Sequence, residues 1–241
     1  MQFEDFDILR KIGKGGFASV YLVCFKNDRD RLFAMKVMSK DHIAKNKQIE
    51  HIMTERNILA KTKSPFIVDM QYAFQTDEKL FFVMEFVQGG NLDGYVRILH
   101  YNKQLQKKAE EIIILWAAEI IVALEHLHQL GIVYRDLKPE NLLVDHEGHV
   151  KITDFGLSKW QESGSDLTYT SCGTPEYVAP EVLGPQGHNH MIDWWSFGIL
   201  LFEVYVGVTP FRNMTVQRIL KKLMSPEPID LSMMSKAPHR F

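Results

Sequence analysis

The chain has 241 residues, 46% hydrophobic and 24% charged, a balance that excludes extensive disorder and fits one large globular domain or two small lobes. Its 28 basic and 30 acidic side chains leave a net charge of −2, without the basic excess that a general nucleic-acid binder carries. Two cysteines, Cys24 and Cys172, cannot build a disulfide framework and point to a reducing compartment, the cytoplasm or the nucleus. Residues 1–10 lack the basic-then-apolar layout of a signal peptide. The two most apolar stretches, 112–124 and 195–208, each carry a glutamate (Glu119, Glu203) and fall short of the roughly 20 residues that a spanning helix needs, so no integral membrane segment is expected.

Short strands are predicted first. Segments 6–12, 19–25 and 32–38 are rich in β-branched and aromatic residues, separated by Gly13–Gly16 and by the polar turn 26–31. Segment 48–61 has helical spacing, with Ile49, Ile52, Met53, Ile58 and Leu59 on one face. Strands follow at 67–74 and 80–86, and Gln88-Gly89-Gly90 ends the pattern. Helices are expected at 91–99 and 107–130, the latter stopped by Gly131, then short strands at 142–144 and 150–152. Residues 157–180 read as one long loop, a length that is usually functional. Helices resume at 194–208 and 216–224. Strands first and helices later predict an α+β fold of two lobes, 1–87 and 88–241, with an antiparallel sheet plus one helix followed by a mainly helical part.

Gly13-Lys14-Gly15-Gly16-Phe17-Ala18-Ser19-Val20 lies between two predicted strands, where missing side chains let backbone amides approach phosphate oxygens. Such a turn is more often a plain hairpin, and no helix follows it as a dinucleotide fingerprint demands. Lys36 ends an apolar strand and gains meaning from Glu55, a carboxylate within the predicted helix that would aim the ammonium at phosphates. Tyr134-Arg135-Asp136-Leu137-Lys138-Pro139-Glu140-Asn141 packs a carboxylate, a cation and a carboxamide into a predicted loop. Asp154-Phe155-Gly156, Gly173-Thr174-Pro175-Glu176-Tyr177, Ala179-Pro180-Glu181 and Asp193-Trp194-Trp195 follow in order. Single triplets arise by chance; the ordered set does not.

At these residues the chain resembles the protein kinase superfamily, from about residue 6 to about residue 223. It is most similar to the AGC group of serine/threonine kinases, which includes the cyclic-nucleotide-dependent enzymes and protein kinase C. The resemblance implies phosphoryl transfer from ATP, with Mg²⁺, to Ser or Thr hydroxyls of protein substrates. Asp136 orients the hydroxyl, Lys138 neutralises the γ-phosphate, and Asn141 and Asp154 hold the metal. Lys36, held by Glu55, grips the α- and β-phosphates. Ile12, Gly13, Lys14, Gly15, Gly16, Phe17 and Ala18 cover the nucleotide. Val20, Ala34 and Leu143 sandwich adenine, Met84 guards the back of the pocket, Glu85 to Val87 form the hinge, and Thr153 precedes the metal aspartate. It further implies an upstream kinase that phosphorylates Thr170, with His51, Arg135 and Lys159 receiving the phosphate. Glu140 and Glu203, with Thr174, match positions that meet the substrate, whereas a third carboxylate position is Asn91, which predicts moderate selection for basic residues.

The chain departs from the family pattern at Ala18, where a third glycine is usual, and at a longer stretch 98–108 with Lys103, Lys107 and Lys108. Kinases of this group continue with further helices, an arginine that pairs with the match of Glu181, and a tail with aromatic anchors that docks on the small lobe. A fragment is therefore expected, with Glu181 an unpaired buried charge. The competing function is a kinase-like regulator that binds ATP or a partner without efficient catalysis.

Overall fold

Five antiparallel strands build the first half of the computed structural model, which describes residues 1–102, 108–161, 167–225 and 227–236. They are β1 (Phe6–Lys14), β2 (Ala18–Phe25), β3 (Asp28–Ser39), β4 (Met70–Gln75) and β5 (Lys79–Glu85), in spatial order β1-β2-β3-β5-β4. Successive side chains alternate between the faces. Phe33 and Met35 join Phe6, Val23, Phe81 and Val83 in an apolar cluster on one side. Ala34 and Lys36 project from the other, paired in register with Met84 and Phe82 of β5 and with Leu22 and Val20 of β2. Two sites of the nucleotide reading are thus set by strand parity alone.

The polar turn predicted over 26–31 shrinks to Lys26 and Asn27, because Phe25 already pairs with Asp28. Arg29 reaches Asp7 at 3.0 Å, and the Arg31 guanidinium lies over the Phe25 and Phe33 rings at 5.9 and 5.1 Å. Such cross-strand contacts outweigh the weak strand preference of polar residues. The sequence showed no sign of α1 (Lys40–Lys45), begun where Ser39 Oγ accepts the His42 N–H; six residues are too few for periodicity to register. Helix α2 (Ile49–Lys61) buries Ile52, Glu55, Ile58 and Leu59, while Ile49 and Met53 are 56% and 45% exposed. The expected five-residue face is wrong: at 100° per residue Glu55 falls inside the buried arc and Ile49 and Met53 fall outside it. These two instead line an apolar cleft of about 280 Å³ with Ile43, Ala44 and Leu80.

The second half is mainly helical: α3 (Leu92–Tyr101), α4 (Ala109–Gln129), α5 (Met191–Val206) and α6 (Val216–Leu223). Two small ribbons complete it, β6 (Ile132–Val133) with β9 (Lys159–Trp160), and β7 (Leu142–Val144) with β8 (Val150–Ile152). Leu124 and Leu127 of α4, Leu200 and Val204 of α5, and Phe155 pack in one cluster with Ile58 and Leu59 of α2 and Met84 of β5, so sheet and helices share a core. Gly89 lies between the halves, where a Cβ would meet the Val144 carbonyl oxygen at 2.4 Å; its own N–H donates to that oxygen at 2.9 Å.

The stretch expected as a bare loop over 157–180 carries β9, and Thr168 exchanges two backbone hydrogen bonds with His188 (2.8 and 2.9 Å). Glu181 is exposed on the 3-10 turn Pro180–Leu183, which buries Val182 in its place, so the expected buried charge is corrected. Of the predicted lysine cluster, Lys103 and Lys107 lie outside the described residues; Lys108 is exposed at the N-cap of α4.

Candidate active site

Asp136 follows β6 on a loop whose backbone is held from below. The buried Asp193 of α5 accepts the N–H groups of Tyr134 (2.9 Å) and Arg135 (2.8 Å) and pairs with His128 Nε2 at 2.8 Å. Arg135 has φ +71° and Asp154 φ +58°, left-handed conformations that non-glycine residues keep only where their surroundings impose them. Both sit in the motif residues themselves.

Around Asp136 the groups converge. Asn141 Nδ2 donates to Asp136 Oδ2 at 2.8 Å and to its main-chain oxygen at 2.9 Å. Lys138 Nζ lies 2.9 Å from Asp136 Oδ2 and donates to Thr174 Oγ1 at 2.8 Å, whose hydroxyl donates to Asp136 Oδ1 at 2.9 Å. Across the cleft Lys36 Nζ pairs with Glu55 Oε1 at 2.6 Å and with Asp154 Oδ1 at 3.6 Å. Burial opposes charge on the Lys36 ammonium, yet Glu55 and Asp154 outweigh it and hold its pKa above the ordinary lysine value. Burial likewise raises Glu55, against the pull of Lys36. The cluster therefore offers a charged ammonium beside a half-exposed carboxylate, the pairing that a polyphosphate with a cation requires.

Gly15, Gly16 and Phe17 form the turn between β1 and β2, where Gly15 N–H donates to Ala18 O at 2.9 Å. Ile12, Gly13 and Lys14 end β1, and Val20 lies in β2 opposite Lys36. Met84 and Val87 are buried. Glu85 points its carboxylate at Lys151 Nζ, 2.9 Å from both oxygens, and its Oε1 also accepts Asp69 N–H at 2.9 Å. Leu143 bridges Asn91, and Thr153 donates its N–H to Asn141 O at 3.0 Å and accepts the Tyr134 hydroxyl at 2.5 Å. The protein kinase domain family matches residues 6–240.

The chain belongs to the protein kinase family.

It is 48% identical, over 91% of its length, to a RAC family serine/threonine-protein kinase homolog of Dictyostelium discoideum, covering 48% of that protein. It is 42% identical over 93% to the cAMP-dependent protein kinase type 3 of Saccharomyces cerevisiae, covering 54%, and 43% identical over 93% to the cAMP-dependent protein kinase catalytic subunit of D. discoideum, covering 33%. The chain thus spans about half the length, or less, of these relatives.

Elsewhere in the kinase domain, Glu140 is exposed and Glu203 accepts the Tyr177 hydroxyl. Burial, with Glu140, Glu176 and Asp93 nearby, pushes Glu203 up to about 7. Asn91 does not stand idle in place of a carboxylate: its Oδ1 accepts Gly94 N–H and caps α3. Asp93, two residues on, was not anticipated; it pairs with Arg97 and contributes negative charge at Glu203. Sequence reasoning misses the part that Asp193 plays in the site, since the backbone groups it holds stand 58 and 59 positions away. Arg135 donates Nε–H to Leu157 O at 2.6 Å and keeps a buried Nη1 with no partner among the described residues. Arg135 and Lys159 both act on Cys172, two residues past Thr170, whose thiol burial pushes up. His51 instead engages Gln48 Oε1 at 2.8 Å, and no hydrogen bond or ion pair among the described residues joins it to the other two.

Proposed function

We propose that this chain transfers the γ-phosphoryl group of ATP to serine or threonine hydroxyls of protein substrates. The supporting observation is the single cluster of Asp136, Lys138, Asn141 and Thr174 facing Lys36, Glu55 and Asp154. Asp136, already held at both oxygens, accepts the proton of the acceptor hydroxyl as its oxygen bonds to the γ-phosphorus and the bond to the β-phosphate oxygen breaks. Lys138 and Lys36 offset the negative charge on the transferred group and on the departing ADP. Asp154 and Asn141 supply one carboxylate and one carboxamide, hard oxygen donors that suit Mg²⁺ shared with phosphates; bound there, the ion neutralises phosphate charge. Residues 1–87 then form the nucleotide lobe and 88–241 the catalytic lobe.

Glu140, Glu203 and Asp93 favour peptides with basic residues before the acceptor. The orphaned Arg135 guanidinium nitrogen and Lys159 favour a phosphate on Thr170 placed by an upstream kinase. Lacking a disulfide, the chain suits a reducing compartment such as the cytoplasm; among the described residues no helix is long and apolar enough to cross a membrane. The apolar cleft beside Ile49 and Met53 is the seat proposed for the aromatic tail that the family resemblance implies. The function is tested by incubating the purified chain with γ-labelled ATP, Mg²⁺ and a basic protein, followed by phosphoamino-acid analysis. Label on serine or threonine is expected; an unlabelled substrate, or label on tyrosine, refutes the proposal.

A further inference from the structure

Trp160 ends β9, and three contacts meet on it. Its backbone pairs with Ile132 of β6, and the next residue, Gln161, donates its N–H to Gly131 O at 2.7 Å. Gly131 has φ +72°, and a Cβ there would meet Gln161 O at 2.6 Å, so glycine is what lets the two segments close. The indole N–H donates to Leu130 O at 3.0 Å, at the C-cap of α4. Lys61 Nζ stands over the indole ring, 4.6 Å from its centroid.

Lys61 is the last residue of α2, and Glu55 lies six positions earlier in the same helix. Asp154 lies six positions before Trp160 in its own segment. The helix and the segment are therefore tied twice: at the phosphate site, where Glu55 and Asp154 both meet Lys36, and about 9 Å along the helix, where Lys61 meets Trp160. At its other end α2 has no side-chain cap and is seated by Ile52, which packs with Met38, Ile43 and Phe82.

We propose that Trp160 is a positioning residue for phosphoryl transfer: anchored on Leu130, it holds the C-terminal end of α2 through Lys61 and so keeps Glu55 in reach of Lys36. This rests on the reading of Lys36 and Glu55 as the pair that grips the phosphates. A tryptophan that merely fills space would affect folding alone.

Steady-state kinetics on Lys61→Met, Lys61→Arg, Trp160→Ala and the double variant Trp160→Ala/Lys61→Met separate the two roles, with Glu55→Gln as reference. Lys61 is exposed, so its methionine variant keeps the stem and removes only the cation. KM for ATP should rise about two- to fivefold in Lys61→Met, the range expected for a cation–π contact at a partly exposed site, with KM for the peptide unchanged. Lys61→Arg should restore the wild-type value, and Lys61→Met should add nothing in the Trp160→Ala background. The proposal is overturned if Lys61→Met leaves KM for ATP unchanged, if the two substitutions act additively, or if melting temperature alone shifts. A silent Glu55→Gln sinks the parent reading with it; an impaired Glu55→Gln beside a silent Lys61→Met sinks only the coupling.

Discussion

Asp136 accepts hydrogen bonds from Lys138, Asn141 and Thr174, so both its oxygens are aimed before any substrate arrives. Preorganisation of this kind spares the reaction a reorganisation cost. Asp136, Lys138 and Asn141 were legible because they fall within six positions of one loop. Lys36 and Glu55, 19 residues apart, were legible as a lysine ending an apolar strand and a carboxylate within the following helix, although the helix face itself was misread. Asp193 and Asp93 were not, since one acts on backbone far away in sequence and the other through charge on Glu203. Burial pushes the Glu203 carboxyl up to about 7, and in the proposed role only its ionised form would attract a peptide arginine. Raising the pH from 6 to 8 should therefore lower KM for an arginine-bearing peptide by up to about tenfold, the ratio of ionised fractions across that span. Glu203→Gln should flatten the profile. A wild-type profile no steeper than that of a peptide lacking arginine counts against this role.

Strands β7 and β8 match their expected bounds because β-branched and aliphatic residues, Leu142-Leu143-Val144 and Val150 with Ile152 flanking Lys151, stand on either side of a Gly148 turn, whereas the outer face of α2 was misread because apolar residues also line an exposed cleft. What sequence patterning could not supply is how β8 is clamped from outside. Glu119 of α4 pairs with His149 Nδ1 at 2.5 Å and accepts Val150 N–H at 2.9 Å. The hydrogen bond and charge of Glu119 hold the His149 pKa above 6.5. A histidine raised on folding stabilises fully below its unfolded value near 6.5, and that contribution fades as pH climbs through the higher folded value. His149 is 44% exposed, so screening limits the gain to under about 1 kcal/mol. Thermal unfolding of His149→Gln should show a small loss at pH 5.5 that shrinks by pH 9; a loss that grows with pH contradicts the pairing.

Across the whole molecule the strand-then-helix order was enough to expect two lobes, but not the continuous core through Ile58, Leu59, Met84 and Phe155 that makes α2 answer to both. The proposed regulation belongs to this scale, since it would bring a phosphate on Thr170 to Arg135 and Lys159, cations that both act on Cys172 two residues further on. Thr170→Ala should lower kcat on the order of tenfold or more, the worth of one or two charge-assisted hydrogen bonds, and phosphatase treatment of the wild-type chain should reproduce the fall. Unchanged turnover in both removes Thr170 from the scheme. The most direct measurement of the central claim is turnover by Asp136→Asn alongside its affinity for ATP. A fall in kcat of about 10²- to 10⁴-fold with ATP affinity preserved is expected of a residue that handles the substrate proton. Turnover within threefold of wild type would show that the phosphoryl group is transferred without Asp136, or not at this site.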